Sequence, residues 1–269
     1  MIHIPNRPLS LAAGATLQGY QNTIDAEADY ADRVRLGKKQ FKQKNRKSNG
    51  TFKEVRAKLS EMCSGARRCM YCEDSVADEV EHYLPKDLYP EAVFLWNNYL
   101  YSCGPCNGPK ESNFAIFDPN GAMVSITRKR KAPIVPPMAG NPVLLAPRNE
   151  NALDFMVLDI AGDTFLFVPT STNGLLLRQR AKYTIDLLGL NLRDYLPKAR
   201  REAYTSYLAI ANEYVRKRDN GAPQGILDRV ENTIRVMHHP TVWREMRRQR
   251  GGIPELSDLF NRAPEALGW

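Results

Sequence analysis

Two short stretches decide the fold of this chain: CMYC at residues 69–72 and CGPC at residues 103–106, separated by 30 residues. In each stretch the two-residue spacer lets a tight turn point both sulfurs at one centre, and four thiolates form the tetrahedral ligand set that zinc prefers. Four of the five cysteines belong to this pattern, namely Cys69, Cys72, Cys103 and Cys106. We therefore predict a structural zinc ion held by these four residues.

The cysteines admit one competing interpretation, a redox site. A thioredoxin-like C-x-x-C pair occurs singly and opens a helix after a strand, whereas this chain carries two pairs. Structural zinc is therefore favoured over redox chemistry. Cys63, the fifth cysteine, lies outside both pairs and is expected to behave as a small buried apolar residue.

The composition is that of a globular protein. Of 269 residues, 43% are apolar and 25% are charged, which argues against a disordered chain and a disulfide-dense scaffold. No apolar run approaches the roughly 20 residues that cross a bilayer, and the first residues lack the pattern of a signal peptide. These observations predict a cytoplasmic protein, in which thiols remain reduced.

Positive charge is concentrated near the beginning of the chain. The formal net charge is +8, and residues 33–58 contain eleven lysines and arginines against a single acid, Glu54. Smaller basic clusters occur at residues 128–131 and 244–250. Such clusters favour a polyanionic partner because each neutralised phosphate releases counterions; a solvent-exposed helix face is the alternative. The predicted nucleic-acid-binding residues are Arg33, Arg35, Lys38, Lys39, Lys42, Lys44, Arg46 and Lys47.

The remaining pattern divides the chain into three predicted segments. Residues 1–60 form an arm followed by basic helical sequence, in which Thr51 and Glu54 fit a capping box for a helix over residues 51–62. Residues 61–120 contain the five cysteines. Residues 121–269 begin with a proline-rich irregular connector. The connector is followed by a predicted hairpin (residues 154–160 and 164–168), a helix end near Gly189, a long amphipathic helix through residues 204–215, and helices over residues 226–237 and 240–250.

The cysteine pattern is expected to bring three chemically useful side chains into one small cleft. Glu81 and His82 lie between the two cysteine pairs, and Asn107 directly follows the second pair. If that pair closes a strand and opens a helix, Asn107 projects toward the strand that carries Glu81 and His82. A carboxylate and an amide oxygen suit Mg²⁺, and a neutral imidazole can take a proton from water. Lys110, about one helical turn past Asn107, can reach a phosphate as a point charge.

The order of these motifs resembles that of the HNH, or ββα-metal, endonucleases in their zinc-stabilised form. The resemblance rests on Cys69-x-x-Cys72, Glu81-His82-x-x-Pro85, Asn98 and Cys103-x-x-Cys106-Asn107-x-x-Lys110. It implies that His82 is the general base and that Asn98 fixes the loop carrying it. It also implies that Glu81 and Asn107 bind a catalytic Mg²⁺ or Mn²⁺. Two positions depart from the commonest pattern, because Asn107 stands where a final His is usual and Glu81 where Asp is usual.

The same resemblance implies the fold class. We expect an α+β chain in which a small ββα-metal core with its four-cysteine zinc site occupies residues 61–120. This core is expected to be embedded between the N-terminal helical segment, residues 1–60, and a mostly helical C-terminal region with a β-hairpin, residues 121–269.

Three outer stretches extend the resemblance to the HNH nucleases of Septu and retron anti-phage systems, which work beside an ABC-type ATPase. These stretches are residues 94–98, 141–145 and 180–191. The predicted function is a metal-dependent DNA endonuclease of low intrinsic sequence specificity, the effector nuclease of an anti-phage system with an ATPase partner. Two alternatives remain open: an HNH-type RNase, and a non-catalytic zinc module that binds nucleic acid or serves as a scaffold.

Overall fold

The structure, a computed structural model, describes residue 1 and residues 3–269. The helices are α1 (Leu11–Asp25), α2 (Tyr30–Lys44), α3 (Gly50–Met62), α4 (Gly104–Lys110), α5 (Leu175–Leu187), α6 (Tyr195–Asp219), α7 (Gln224–Val236), α8 (Pro240–Gln249) and α9 (Pro254–Arg262). The strands are β1 (Glu79–His82), β2 (Tyr99–Ser102), β3 (Ala115–Phe117), β4 (Met123–Ser125), β5 (Asn141–Pro142), β6 (Met156–Leu158) and β7 (Phe167–Pro169). The expected mixture of helices with small sheets is confirmed. None of the helices in the described part combines the length and hydrophobicity needed to cross a membrane.

The N-terminal helices begin at polar capping residues. Asn49 caps α3, because its side-chain oxygen accepts a hydrogen bond of 3.0 Å from the backbone N–H of Phe52. The predicted capping box of Thr51 and Glu54 is therefore wrong. The carboxylate of Glu54 instead accepts hydrogen bonds from the backbone N–H of Ser10, at 2.6 Å, and from its hydroxyl, at 2.9 Å. This contact ties the start of α1 to α3.

The two candidate caps of α3 can be separated by mutation. We expect Asn49→Ala to lower the free energy of unfolding by about 1 kcal/mol, because it removes an acceptor for an otherwise unpaired helix N–H. Thr51→Ala, inside the first turn, is the control and is expected to change stability by less. Urea unfolding of both variants measures this, and a larger loss for Thr51→Ala than for Asn49→Ala would contradict the assigned helix start.

The middle of the chain forms two strands followed by a short helix. Strands β1 and β2 pair antiparallel, with Glu81 opposite Leu100 and His82 opposite Tyr99. The chain leaves β2 through Cys103 and enters α4 directly, with Pro105 in the first turn of the helix. This order of elements places the second cysteine pair at the junction of strand and helix. Such a junction is the condition under which Asn107 was predicted to approach β1.

The connector is more regular than expected, whereas the strands of the hairpin that follows it are shorter than predicted. Two connector strands, β4 and β5, flank β3 in a small antiparallel sheet of order β4-β3-β5. They are three and two residues long, respectively, which is too short to leave a period-2 pattern in a proline-rich sequence. The predicted hairpin is confirmed by β6 and β7, which pair antiparallel with Val157 opposite Val168.

The C-terminal helices follow the sequence pattern closely. Helix α5 ends at Leu187, and Gly189 adopts a left-handed φ of +57°, which confirms the predicted helix end. Helices α6, α7 and α8 lie where amphipathic spacing placed them. Helix α9 was not predicted. Its nine residues carry only three buried side chains, too few for a clear periodic signal.

One hydrophobic core runs through all three predicted segments. It joins Phe41 and Phe52 from the N-terminal helices to Tyr99 of β2 and to Trp243 of α8. The rings of Phe41 and Phe52 meet edge to face, with centroids 5.6 Å apart. The N-terminal segment therefore packs against the strand unit rather than lying apart from it, and the division into three segments stays a prediction.

Candidate active site and metal centre

The four paired cysteines converge on one point. Cys69, Cys72, Cys103 and Cys106 are all buried, and their sulfurs lie within 4.8 Å of one another. The sulfurs of Cys72 and Cys103 are 3.8 Å apart. Four buried thiols at this spacing fit a tetrahedral metal ion such as zinc. The cluster connects the turn before β1 to the start of α4.

Two N–H groups point at the sulfur cluster. The guanidinium of Arg193, in the segment between α5 and α6, donates to the sulfur of Cys106 at 3.3 Å. The backbone N–H of Tyr71 donates to the sulfur of Cys69 at 3.4 Å. Four thiolates around a divalent ion carry excess negative charge, which such donors stabilise. Arg193 and Cys106 are 87 residues apart in the sequence, and no sequence motif predicts this contact.

Cys63 lies outside this cluster. Its half-buried sulfur donates a hydrogen bond to the backbone oxygen of Leu59 at 3.3 Å. Burial raises the pKa of the Cys63 thiol to about 12, so this thiol stays protonated and unreactive at neutral pH.

A cleft of about 500 Å³ lies beside the strand unit. Glu81 and His82 of β1 and Asn107 of α4 all line it, so the three side chains expected to share one cleft do so. The other charged lining residues are Lys38, Lys86, Asp87, Glu111, Arg128 and Arg130. Cations therefore outnumber acids on the walls away from Glu81.

His82 is buried, and its ring is fixed in orientation. Its Nε2 lies 3.0 Å from the backbone oxygen of Val93. A carbonyl can only accept, so Nε2 carries the proton and Nδ1 keeps a free lone pair. Phe41 packs edge to face on the imidazole, with centroids 4.3 Å apart. Burial and the positive charges of Lys86 and Lys110 hold the pKa of His82 well below its usual value, so the ring is neutral at neutral pH.

Asn98 holds the loop that joins β1 to β2. Its side-chain oxygen accepts from the backbone N–H of Leu84 at 2.7 Å, and its amide donates to the backbone oxygens of Ala92, at 2.8 Å, and Leu84, at 3.1 Å. The loop is thereby fixed directly before Val93, whose carbonyl orients His82. The neighbouring Asn97 is exposed and bonds to Arg148. Asn98 is thus the asparagine placed to position the loop.

Glu81 and Lys110 form an ion pair inside the protein. The ammonium of Lys110 contacts one carboxylate oxygen of Glu81 and also donates to the backbone oxygen of His82. The other oxygen of Glu81 accepts from the hydroxyl of Tyr71 at 2.9 Å. Both paired side chains are essentially inaccessible to solvent, at 0% and 2%. The expectation that Lys110 faces a substrate phosphate is therefore corrected, because its side chain turns back from α4 to β1.

The divalent-ion ligands implied by the resemblance can be tested against this geometry. Asn107 is half-buried, and its Nδ2 donates to Glu79, so this amide is oriented with its oxygen available. Each oxygen of Glu81 accepts one partner, and a carboxylate oxygen retains a further lone pair. One carboxylate and one amide oxygen fit an ion that keeps most of its water ligands. Glu79, which belongs to none of the sequence motifs, lies two residues before Glu81 and so on the same face of β1.

The eight basic residues predicted to bind nucleic acid lie on α2 and just beyond it. Six of them are exposed, namely Arg35, Lys38, Lys39, Lys42, Arg46 and Lys47. Arg33 and Lys44 are half-buried, and the ammonium of Lys44 lies 4.7 Å from the ring centroid of Tyr20. Within this set Lys38 reaches the cleft. The structure therefore joins one end of the basic stretch to the cleft.

A carboxylate connects the two basic segments at the cleft wall. Asp87 forms an ion pair with Lys38 of α2 at 2.6 Å and a second with Arg128 of the connector. The basic stretch at residues 33–58 and the cluster at residues 128–131 are distant in sequence, yet they meet here. This convergence was not visible in the sequence.

Comparison with known proteins gives one partial relationship. The chain is 38% identical over 76 residues to the Septu protein PtuB of Bacillus thuringiensis, which covers 26% of this chain and 30% of PtuB. The chain thus matches less than a third of the length of that relative. No family model matches this chain, and no solved structure matches it. These comparisons support a relation to a Septu protein over about a quarter of the chain.

Proposed function

We propose that this protein is a metal-dependent HNH-type endonuclease that hydrolyses phosphodiester bonds of DNA with low intrinsic sequence specificity. The observation that carries the proposal is the convergence of Glu81, His82 and Asn107 on one cleft beside the four-cysteine cluster. A carboxylate, an amide oxygen and an oriented imidazole are the groups that metal-assisted hydrolysis of a phosphodiester needs.

His82 acts as the general base in this proposal. Its Nδ1 carries the free lone pair, because Nε2 is held by the carbonyl of Val93. Nδ1 takes a proton from a water molecule, whose oxygen forms a bond to phosphorus as the bond to the leaving oxygen breaks. A Mg²⁺ or Mn²⁺ ion bound by Glu81 and Asn107 would supply electrostatic stabilisation of the charge that develops on the phosphate. The four cysteines would hold a structural zinc ion that keeps α4 against β1.

DNA is the proposed substrate because of the charge around the cleft. The exposed lysines and arginines of α2 lead to the cleft at Lys38, and such side chains contact the phosphate backbone without reading sequence. No helix of the described part is identified as a base-reading element, so low intrinsic specificity follows. Control of cleavage would then lie with a partner.

An anti-phage role with an ABC-type ATPase partner is supported from two directions. The chain shares 38% identity over 76 residues with a Septu protein, and the outer stretches at residues 94–98, 141–145 and 180–191 resemble the nucleases of such systems. We propose that this protein is the effector nuclease of an anti-phage system.

The proposal is tested by incubating the purified protein with Mg²⁺ or Mn²⁺ and with plasmid DNA or RNA. We expect plasmid cleavage, and we expect His82→Ala to lower its rate by about 10²- to 10⁴-fold, the usual effect of removing a general base. His238→Ala is the matched control. His238 is half-buried and does not line the cleft, so its replacement is expected to leave the rate unchanged.

Three outcomes would contradict parts of the proposal. Absence of cleavage of either substrate, with the ATPase partner also supplied, would favour a non-catalytic zinc module. Cleavage by His82→Ala at the wild-type rate would remove His82 as the base. Cleavage of RNA but not of DNA would replace the proposed substrate.

A further inference from the structure

The cations on the cleft wall differ in what already neutralises them. Lys38 and Arg128 share the carboxylate of Asp87. Arg130 lies at the exposed rim. Lys86 is half-buried and, within residues 1 and 3–269, has neither a hydrogen bond nor an ion pair. Lys86 is therefore the half-buried cation of this wall that no carboxylate contacts directly, although Glu81, Asp87 and Glu111 lie near enough to favour its charge.

Lys86 is also held close to the base. It follows His82 by four residues, on the loop segment that Asn98 anchors at Leu84 and Ala92. Its ammonium lies 5.5 Å from the ring centroid of Phe41. The centroid of that same ring lies 4.3 Å from the centroid of the imidazole of His82. Lys86 and His82 therefore both lie against the ring of Phe41, and both line the same cleft.

A half-buried ammonium that no carboxylate contacts directly is costly, because desolvation disfavours the charged form. A phosphate oxygen in the cleft would give this ammonium a directly bound anion and a charge-assisted hydrogen bond. Lys110 cannot take this role, since its ammonium is buried against Glu81. Of the two lysines that line the cleft, Lys38 is paired with Asp87, so Lys86 is the one whose ammonium contacts no carboxylate directly among the described residues.

We propose that Lys86 is a catalytic residue that contacts a non-bridging oxygen of the scissile phosphate, an inference that rests on the proposed nuclease function. Its ammonium neutralises the charge that grows on this oxygen as water attacks phosphorus and the leaving oxygen departs. Lys86 keeps its proton throughout; the proton from water goes to His82. Contact with the transition state, more than with the ground state, makes the effect appear in kcat.

The competing role for Lys86 is structural, a cation–π contact with Phe41. Such a contact contributes to stability but does not act on the chemical step. The two roles separate when rate, zinc content and thermal stability are measured on the same variants.

The test compares wild type with Lys86→Met, Lys86→Arg and Lys198→Met in single-turnover and steady-state cleavage of a DNA duplex with Mg²⁺. We expect Lys86→Met to lower kcat about a hundredfold, the usual cost of removing one charge-stabilising donor, with KM, melting temperature and zinc content close to wild type. Lys86→Arg keeps the charge and is expected to recover much of kcat. Lys198, exposed on α6 and paired with Asp194, is the control, and its replacement is expected to leave kcat unchanged.

Distinct results would overturn this inference without touching the proposed function. Wild-type kcat in Lys86→Met, or a rise in KM alone, would show that Lys86 does not act on the chemical step. Equal loss in Lys86→Met and Lys86→Arg at unchanged melting temperature would show that shape rather than charge matters. If Lys86→Met fails to fold, Lys86→Gln replaces it in the same comparison. Wild-type protein that stays inactive with the ATPase partner also supplied would instead contradict the proposed nuclease function itself.

Discussion

Replacement of Cys103 by serine is expected to abolish zinc binding and to unfold the middle of the chain. Cys103 joins β2 to α4, and its sulfur belongs to the buried cluster of four. A structural zinc site contributes apparent binding free energies of about 10 to 16 kcal/mol, which is comparable to the whole stability of a typical domain, about 5 to 15 kcal/mol. If loss of one thiolate releases the ion, the free energy lost is therefore comparable to the stability of the fold.

Metal analysis and thermal unfolding of freshly purified protein measure this effect. Wild type is expected to contain one zinc ion per chain. Cys103→Ser is expected to contain little zinc and to show no cooperative unfolding transition near the melting temperature of wild type. Cys63→Ser is the matched control, because this thiol lies outside the cluster and is half-buried. Zinc-free wild-type protein that unfolds cooperatively would show that the four thiols do not form a metal site.

Lys110→Met is expected to lower the free energy of unfolding by about 3 to 5 kcal/mol, because removing one member of a buried ion pair leaves the other charge uncompensated. The pair is fully enclosed, with Lys110 and Glu81 at 0% and 2% exposure. The same substitution also removes the donor to the backbone oxygen of His82. Urea unfolding gives the change in free energy.

A double-mutant cycle identifies the cause of this loss. The variant that combines Lys110→Met with Glu81→Gln removes both charges and is expected to be more stable than Lys110→Met alone. Lys182→Met breaks an exposed pair with Asp186 and is expected to cost at most about 1 kcal/mol. Equal stability of wild type and Lys110→Met would contradict the buried pair.

Much of the local structure could be predicted from the sequence, because the signals are short-range. The C-x-x-C spacing is a property of a single turn, and both pairs do contribute to one cluster. Amphipathic spacing located α6, α7 and α8, and Gly189 marked the end of α5. The cap of α3 was misassigned because Thr51 and Asn49 both carry suitable side chains, and two such candidates within one turn cannot be ranked from sequence alone.

The candidate site was located by sequence but not oriented by it. Glu81, His82 and Asn107 do line one cleft. This was predicted from a strand that ends, and a helix that begins, at the second cysteine pair. Lys110 lies on the predicted helix, but its side chain does not point in the predicted direction. From this position the side chain could turn outward to solvent or inward to Glu81. Only the packing of α4 against β1 decides between these directions.

The sequence by itself determined which residues carry metal-ligand and acid–base chemistry and how they are spaced along the chain, because turn geometry and helix periodicity act over a few residues. Tertiary structure alone decided that Arg193 approaches Cys106 and that Asp87 pairs with both Lys38 and Arg128. It also decided that Lys86 and His82 both lie against the ring of Phe41. Each of these contacts arises where separately folded elements pack together. Long-range packing leaves no periodic or spacing signal in one sequence, so these contacts appear only when the core is assembled.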